Sequence, residues 1–278
     1  MLFIGVINHG FSKIILNKYN KDYIFVLTTK TQTLKKIILT LSFLLFVTIG
    51  FSQENFVNFY KLGLGAGVGA TVSYADVREN SQSFGGYVVA DYNLTAFVTA
   101  GLEIQTGQIK GGDIVTNPHN RQFTNNYKAA TINAKIALGE FIHYYRNDFL
   151  NAIKGLYVGV GLGAIKNDMK YIVRYKPNTQ AEYPPLGYEF PGKDKSTNLL
   201  MPIHLGMNLY FKDGYDQLRY IVNFSYQGNL TFGEGLDGYD DPRGVFKNNA
   251  PDMYTLFSVG VKYNFGPVGV SKRIFSVN

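Results

Sequence analysis

Residues Tyr60 to Tyr74 read YKLGLGAGVGATVSY, with Leu62, Leu64, Ala66, Val68, Ala70, Val72 and Tyr74 on one parity. From Gly63 to Ser73 the other parity holds only glycine, threonine and serine. Successive side chains of a strand point to opposite faces, so this period of two predicts a strand that is apolar on one face only. The same one-sided pattern recurs down the chain while helical periodicity is nearly absent. A closed sheet accounts for this, because it pairs every backbone N–H and C=O while its apolar outside meets lipid.

Alternation and turn chemistry divide the remainder into about eight strands. After residues 60–74 come 84–93, then 96–109 with Val98, Ala100, Leu102 and Ile104 outward. Residues 127–138 follow, with Ala130, Ile132, Ala134, Ile136 and Leu138 on one face. In 155–175, Leu156, Val158, Val160 and Leu162 oppose Gly159, Gly161 and Gly163. The last three are 197–211 (Leu199 to Phe211 outward), 218–226 (Leu218, Tyr220, Val222, Phe224 and Tyr226 outward) and 253–265. The fold class is therefore all-β, a transmembrane antiparallel up-and-down β-barrel with an even strand number.

Connection lengths test this independently. Links 75–83, 110–126, 176–196 and 227–252 are long or polar, whereas 93–95 and 212–217 are tight. Such alternation is expected when short turns face the periplasm and long loops face outward. Residues 139–154 break the pattern, with Phe141, Tyr145, Phe149 and Ile153 at helical spacing. They predict a short amphipathic helix at the inner interface or, alternatively, an overlong fourth strand and a loose turn. Tyr74 and Tyr226 belong to an outer aromatic girdle, and Tyr92, Phe211, Tyr263 and Phe265 to an inner one. A soluble sandwich or lipocalin-like barrel would be charged opposite its apolar face; here that face is rich in glycine, which suits a narrow closed interior.

The formal charge of +7 suggests a polyanion partner until it is located. Six lysines against the single Asp22 place +5 of it in residues 1–52, leaving +2 elsewhere, so no nucleic-acid partner is expected. Lys35-Lys36, the apolar run 37–49 and small residues at Gly50 and Ser52 form a secretory signal peptide over 35–52, cleaved after Ser52. The run is too short for a membrane-spanning helix, which needs about 20 residues. Residues 1–34 are a leader or a mis-assigned start. Residues 53–59 are a short N-terminal segment, 60–265 the barrel and 266–278 a C-terminal tail. With no cysteine in the chain, disulfides, thiolate metal sites and a lipidated cysteine are excluded.

The Gly-alternating first strand, Ala90–Thr95 (ADYNLT), Ala100–Glu103 (AGLE) and Val261–Phe265 (VKYNF) resemble the small OmpA-like outer-membrane β-barrel family of Gram-negative bacteria. The resemblance runs from about Tyr60 to Phe265 and implies a fold and a membrane more than an activity. It implies that the last strand, with Val261, Tyr263 and Phe265, is the signal read by the barrel-assembly machinery. Members usually end at that aromatic, whereas this chain continues through Asn278.

Parity turns Asp91, Glu103, Lys135, His204, Arg219 and Lys262 into the lumen, beside Gln105, Asn133, Asn208, Asn223 and Gln227. Buried charges need partners, so these predict a packed polar network, with Glu103 and Lys135 pairing diagonally on adjacent strands. Eight strands enclose little more than side chains, which favours a plug over a conducting pore. His204 has no Ser, Asp or Glu at a telling spacing, so no catalytic residue is assigned. Glu234, Asp237, Asp240 and Asp241 miss the EF-hand spacing and read as a solvated acidic turn; no metal or cofactor is expected. Tyr175, Tyr183, Tyr188 and Phe190, among Pro177, Pro184, Pro185 and Pro191, read either as a stiffened aromatic surface for a protein or glycan or as rings folded onto the rim.

These residues lead to an exported, monomeric outer-membrane barrel in contact with outer-membrane lipid, structural or surface-binding and not an enzyme. The alternatives are a small porin-like diffusion channel, an envelope or secretion accessory barrel, and lastly a lipid-modifying barrel enzyme.

Overall fold

A computed structural model describes residues 57–74, 77, 80–117, 119–176, 187–233, 235–240 and 252–271. The leader, the signal segment and Tyr183 lie outside these residues. Eight strands form one closed antiparallel barrel in chain order: β1 (Val57–Tyr74), β2 (Asn80–Asn93), β3 (Val98–Gly112), β4 (Gln122–Ala137), β5 (Leu156–Ile172), β6 (Lys195–Lys212), β7 (Leu218–Phe232) and β8 (Met253–Ser271), with β8 returning to β1. Closure removes every sheet edge, so the backbone is satisfied without water. The parities read from sequence hold through the belt: Leu64, Val68, Phe84, Leu102, Ile132, Val160, Leu205 and Val261 all face outward and are exposed. An exposed apolar belt of this extent on a closed barrel is the surface of a membrane-spanning protein.

Most strands run past the ends that alternation marks. β4 begins at Gln122 and β7 continues to Phe232, because above the belt both faces carry polar groups and the two-residue signal fades. The β1–β2 connection correspondingly shrinks to residues 75–79.

The chain also departs from expectation at the short-turn end. β1 starts at Val57 and β8 runs through Gly266 and Pro267 to Ser271, so 57–59 and 266–271 are barrel strand, not segment and tail. Tyr60 pairs with Val268 but Leu62 with Phe265, which puts one extra residue in β8. Gly266 absorbs this bulge at φ 85°, a left-handed conformation that suits glycine. Gly266-Pro267 thus lies inside the strand, at the bulge.

Between β4 and β5 the predicted helix is reduced to α1 (Asp148–Ile153), preceded by single 3-10 turns at Leu138–Glu140 and Tyr144–Arg146. The Asn147 side chain caps α1 by accepting from the Phe149 and Leu150 amides. Phe141, Tyr145 and Phe149 remain exposed at the rim.

Candidate functional site

The lumen is the place where polar side chains converge. Its inward rows alternate long polar residues with glycine across neighbouring strands: Gly63, Asp91, Gly101, Asn133 and Gly161 are successive partners from β1 to β5. A Cβ at Gly101 would run into the Asp91 carboxylate, and one at Gly161 into the Asn133 amide. Gly159 likewise lies between Lys135 and His204. The glycines that mark the sequence thus make room for their neighbours' side chains inside a narrow cylinder.

Five of the six predicted lumen residues belong to the network. Lys135 Nζ lies 3.2 Å from Glu103 Oε2, and Gln105 Nε2 donates to Glu103 Oε1 at 2.7 Å and to Gln227 Oε1 at 2.9 Å. The Tyr254 hydroxyl donates to Gln105 Oε1 at 3.1 Å, and Gln227 donates to Asn229 at 2.9 Å. His204 Nε2 sits 3.1 Å from Asn133 Oδ1, bridging β4 and β6 across glycine. Lys262 is ion-paired with Asp91. Asn223 ties the lower lumen together by donating to Asn208 at 2.8 Å and to Tyr157 at 3.0 Å.

Arg219 is the exception. Phe211 pairs with Tyr220 and Lys212 with Leu218, so Arg219 is the extra residue of a bulge. The bulge turns Leu218 inward, against the outward placement expected from parity, and sends Arg219 to the short-turn rim. There its Nε donates to Asp213 Oδ2 at 2.7 Å and its Nη1 to the Tyr263 hydroxyl at 2.7 Å, while it also bonds the Tyr60 hydroxyl. Tyr60 in turn donates to Asp213 at 2.7 Å. Burial works against the charge of Asp213, yet bonds from Tyr60, Arg219 and the Gln217 and Tyr215 amides hold its carboxyl well below the usual range. This cluster joins β1, β7, β8 and the β6–β7 turn across the barrel's closing seam.

At the long-loop end an apolar cap closes the cylinder. Ile109, Phe123, Tyr127, Ile165, Leu200 and Tyr254 from the strands meet Phe190, Leu236 and Tyr239 from the loops. Arg121, fully buried, lies between the rings of Phe190 and Tyr239, 4.5 Å and 4.8 Å from their centroids. Burial first, and then the charges of Arg121 and Lys176, hold the nearby His119 imidazole below its usual range. Phe190 is therefore part of this cap and not an exposed contact residue. Tyr188 is half-buried against it, and Tyr175 alone of the described loop aromatics of that group is exposed, at 60%. Asp237 is buried with Tyr239 N donating to it at 3.0 Å, so the acidic turn is not simply solvated there. No group of metal-ligating side chains occurs among the described residues.

Sequence reasoning missed Arg121, Tyr239 and the buried Glu140, which accepts from Thr95 Oγ1 at 2.8 Å beneath the β2–β3 turn. These sit in irregular segments where no periodicity reports burial. Tyr254 could have been found, since it stands on the inward parity of β8. Val261, Tyr263 and Phe265 share the outward face of β8, as expected, with Tyr263 and Phe265 stacked at 6.0 Å.

Between cap and rim, a cavity of about 40 Å³ is lined by Tyr87, Asp91, Lys135, Tyr157, Asn223 and Lys262, among others. That is room for one or two waters.

No family model matches the chain, and no curated protein matches it. Among solved structures it is similar to Neisserial surface protein A, at 9% identity over 76% of this chain and 100% of that one, with a TM-score of 0.43. It is also similar to the attachment invasion locus protein Ail of Yersinia pestis, solved with the heparin analogue sucrose octasulfate, at 10% identity over 74% and 99% of the two chains and a TM-score of 0.38. The N-terminal β-barrel domain of Pseudomonas aeruginosa OprF aligns at 13% identity over 73% and 97%, with a TM-score of 0.28.

Proposed function

We propose that this chain is an outer-membrane barrel with a structural or surface-binding role, one that neither conducts nor catalyses. The observation that supports this reading is the filled interior: an apolar cap, a hydrogen-bonded polar network and a stapled rim, with a cavity of about 40 Å³ between them. In this reading residues 35–52 direct export, the mature chain starts at Gln53, and the barrel-assembly machinery reads the strand bearing Val261, Tyr263 and Phe265. The loop that carries Tyr175 and Tyr188, together with Tyr183 outside the described residues, is where a protein or glycan would be met.

His204 is held by an amide, not by an acid and a nucleophile, which argues against lipid-modifying chemistry. Planar-bilayer recording of the purified mature chain tests the whole reading. No stepwise conductance above the empty bilayer is expected; reproducible unitary steps would replace it with the diffusion-channel reading.

A further inference from the structure

The outward rows are apolar through the belt, but at its long-loop edge β4 and β5 carry Lys128 and Lys166 as direct cross-strand partners. Both are exposed, both stand on the lipid-facing parity, and neither is in an ion pair among the described residues. Lys170 follows further up β5, also exposed, whereas Asp168, the carboxylate between them, is engaged by Lys195 at 3.4 Å. Like charges opposite one another on a sheet repel, and an anion between them reverses the sign of that interaction.

The position specifies what kind of anion. One row below the lysines are the partners Ala130 and Ala164, then Ile132 and Leu162, so two ammonium groups stand directly above a purely apolar wall. A free anion would use only the upper half of this surface. A lipid with a phosphate headgroup uses both, its phosphate between the ammoniums and its acyl chains along the alanine rows. We infer that Lys128 and Lys166, with Lys170 beside them, form a headgroup site for a phosphate-bearing anionic lipid of the leaflet at the long-loop end.

This inference rests on the membrane-spanning reading, and the test separates the two. The mature chain is placed in mixed lipid nanodiscs containing bisphosphorylated lipid A, phosphatidylglycerol and phosphatidylcholine, then transferred to detergent, and retained lipid is counted by native mass spectrometry. The phosphate-bearing anionic lipids should be retained over phosphatidylcholine, and Lys128→Gln/Lys166→Gln should reduce that preference roughly tenfold. Lys61→Gln, at the opposite end of the barrel, should leave it unchanged. Gel mobility with and without boiling establishes that each variant is folded. A folded, inserted double variant with wild-type lipid preference overturns the headgroup site alone. Displacement of the lipid by millimolar inorganic phosphate reduces the site to an ion site and overturns the lipid assignment. A chain that fails to enter nanodiscs overturns both readings.

Discussion

Lys262 on β8 passes over Gly63 of β1 to pair with Asp91 on β2, so the ion pair spans a whole strand. A Cβ at Gly63 would stand 3.2 Å from Lys262 Cδ and 2.7 Å from Asn264 Oδ1. The glycine and the ion pair are thus one device, and it fastens the first strand between the second and the last.

Lys262→Met should leave the Asp91 carboxylate buried without its partner and destabilise the barrel by about 3–5 kcal/mol. Asp91→Asn combined with Lys262→Met should recover most of that loss. Urea unfolding in lipid vesicles, followed by far-UV circular dichroism because the chain has no tryptophan, measures it. Equal midpoints for Lys262→Met and the wild type would remove the pair from the account of stability.

Glu103 and Lys135 should be energetically coupled. Single replacements Glu103→Gln and Lys135→Met each break the 3.2 Å contact, and the double variant should show a coupling of about 1–3 kcal/mol. Strict additivity in the cycle would mean that Gln105 and not Lys135 sustains the carboxylate.

Phe190→Ala should open the loop-side cap without opening a pore. The ring is fully buried against Tyr239 and Arg121, and its loss should cost about 3–5 kcal/mol of local stability. Hydrogen exchange should rise in residues 121–127 and 236–240 while the belt strands keep their protection. Bilayer conductance should stay absent, because the Glu103–Lys135 and Asp91–Lys262 pairs lie below the cap and keep their own partners.

Acid should loosen the seam through Asp213. Its carboxyl titrates below the ordinary aspartate value of about 3.9, so its stabilising contribution is fully present above that pH and is lost as pH falls through the depressed value. Asp213→Asn should lower unfolding resistance near neutral pH and flatten its decline in strong acid. The same pH slope in variant and wild type would assign acid sensitivity to other carboxylates.

The fold was legible because lipid acts on one face only. Alternation from Leu62 to Tyr74 and from Leu156 to Leu162 needs no knowledge of neighbours: each outward residue meets the same solvent. Inward parity is also the reason for expecting Asp91, Glu103, Lys135, His204 and Lys262 in the lumen, and in the structure Glu103 pairs with Lys135, Asp91 with Lys262, and His204 meets Asn133. Parity failed at Arg219 and at Gly266, where a single extra residue inverts or extends the pattern, and a bulge is defined by the partner strand's register.

It also failed in the loops. Whether Phe190 faced water or the barrel depended on Arg121 and Tyr239, 69 and 49 residues away in sequence. Local patterning therefore settled the strand number and the lipid-facing side, both of which follow from contact with one medium. The pairing of particular charges, the closed cap and the stapled seam arise only when remote segments meet, since a buried ion pair or a sandwiched ring is a property of three-dimensional neighbours and has no periodic trace along the chain.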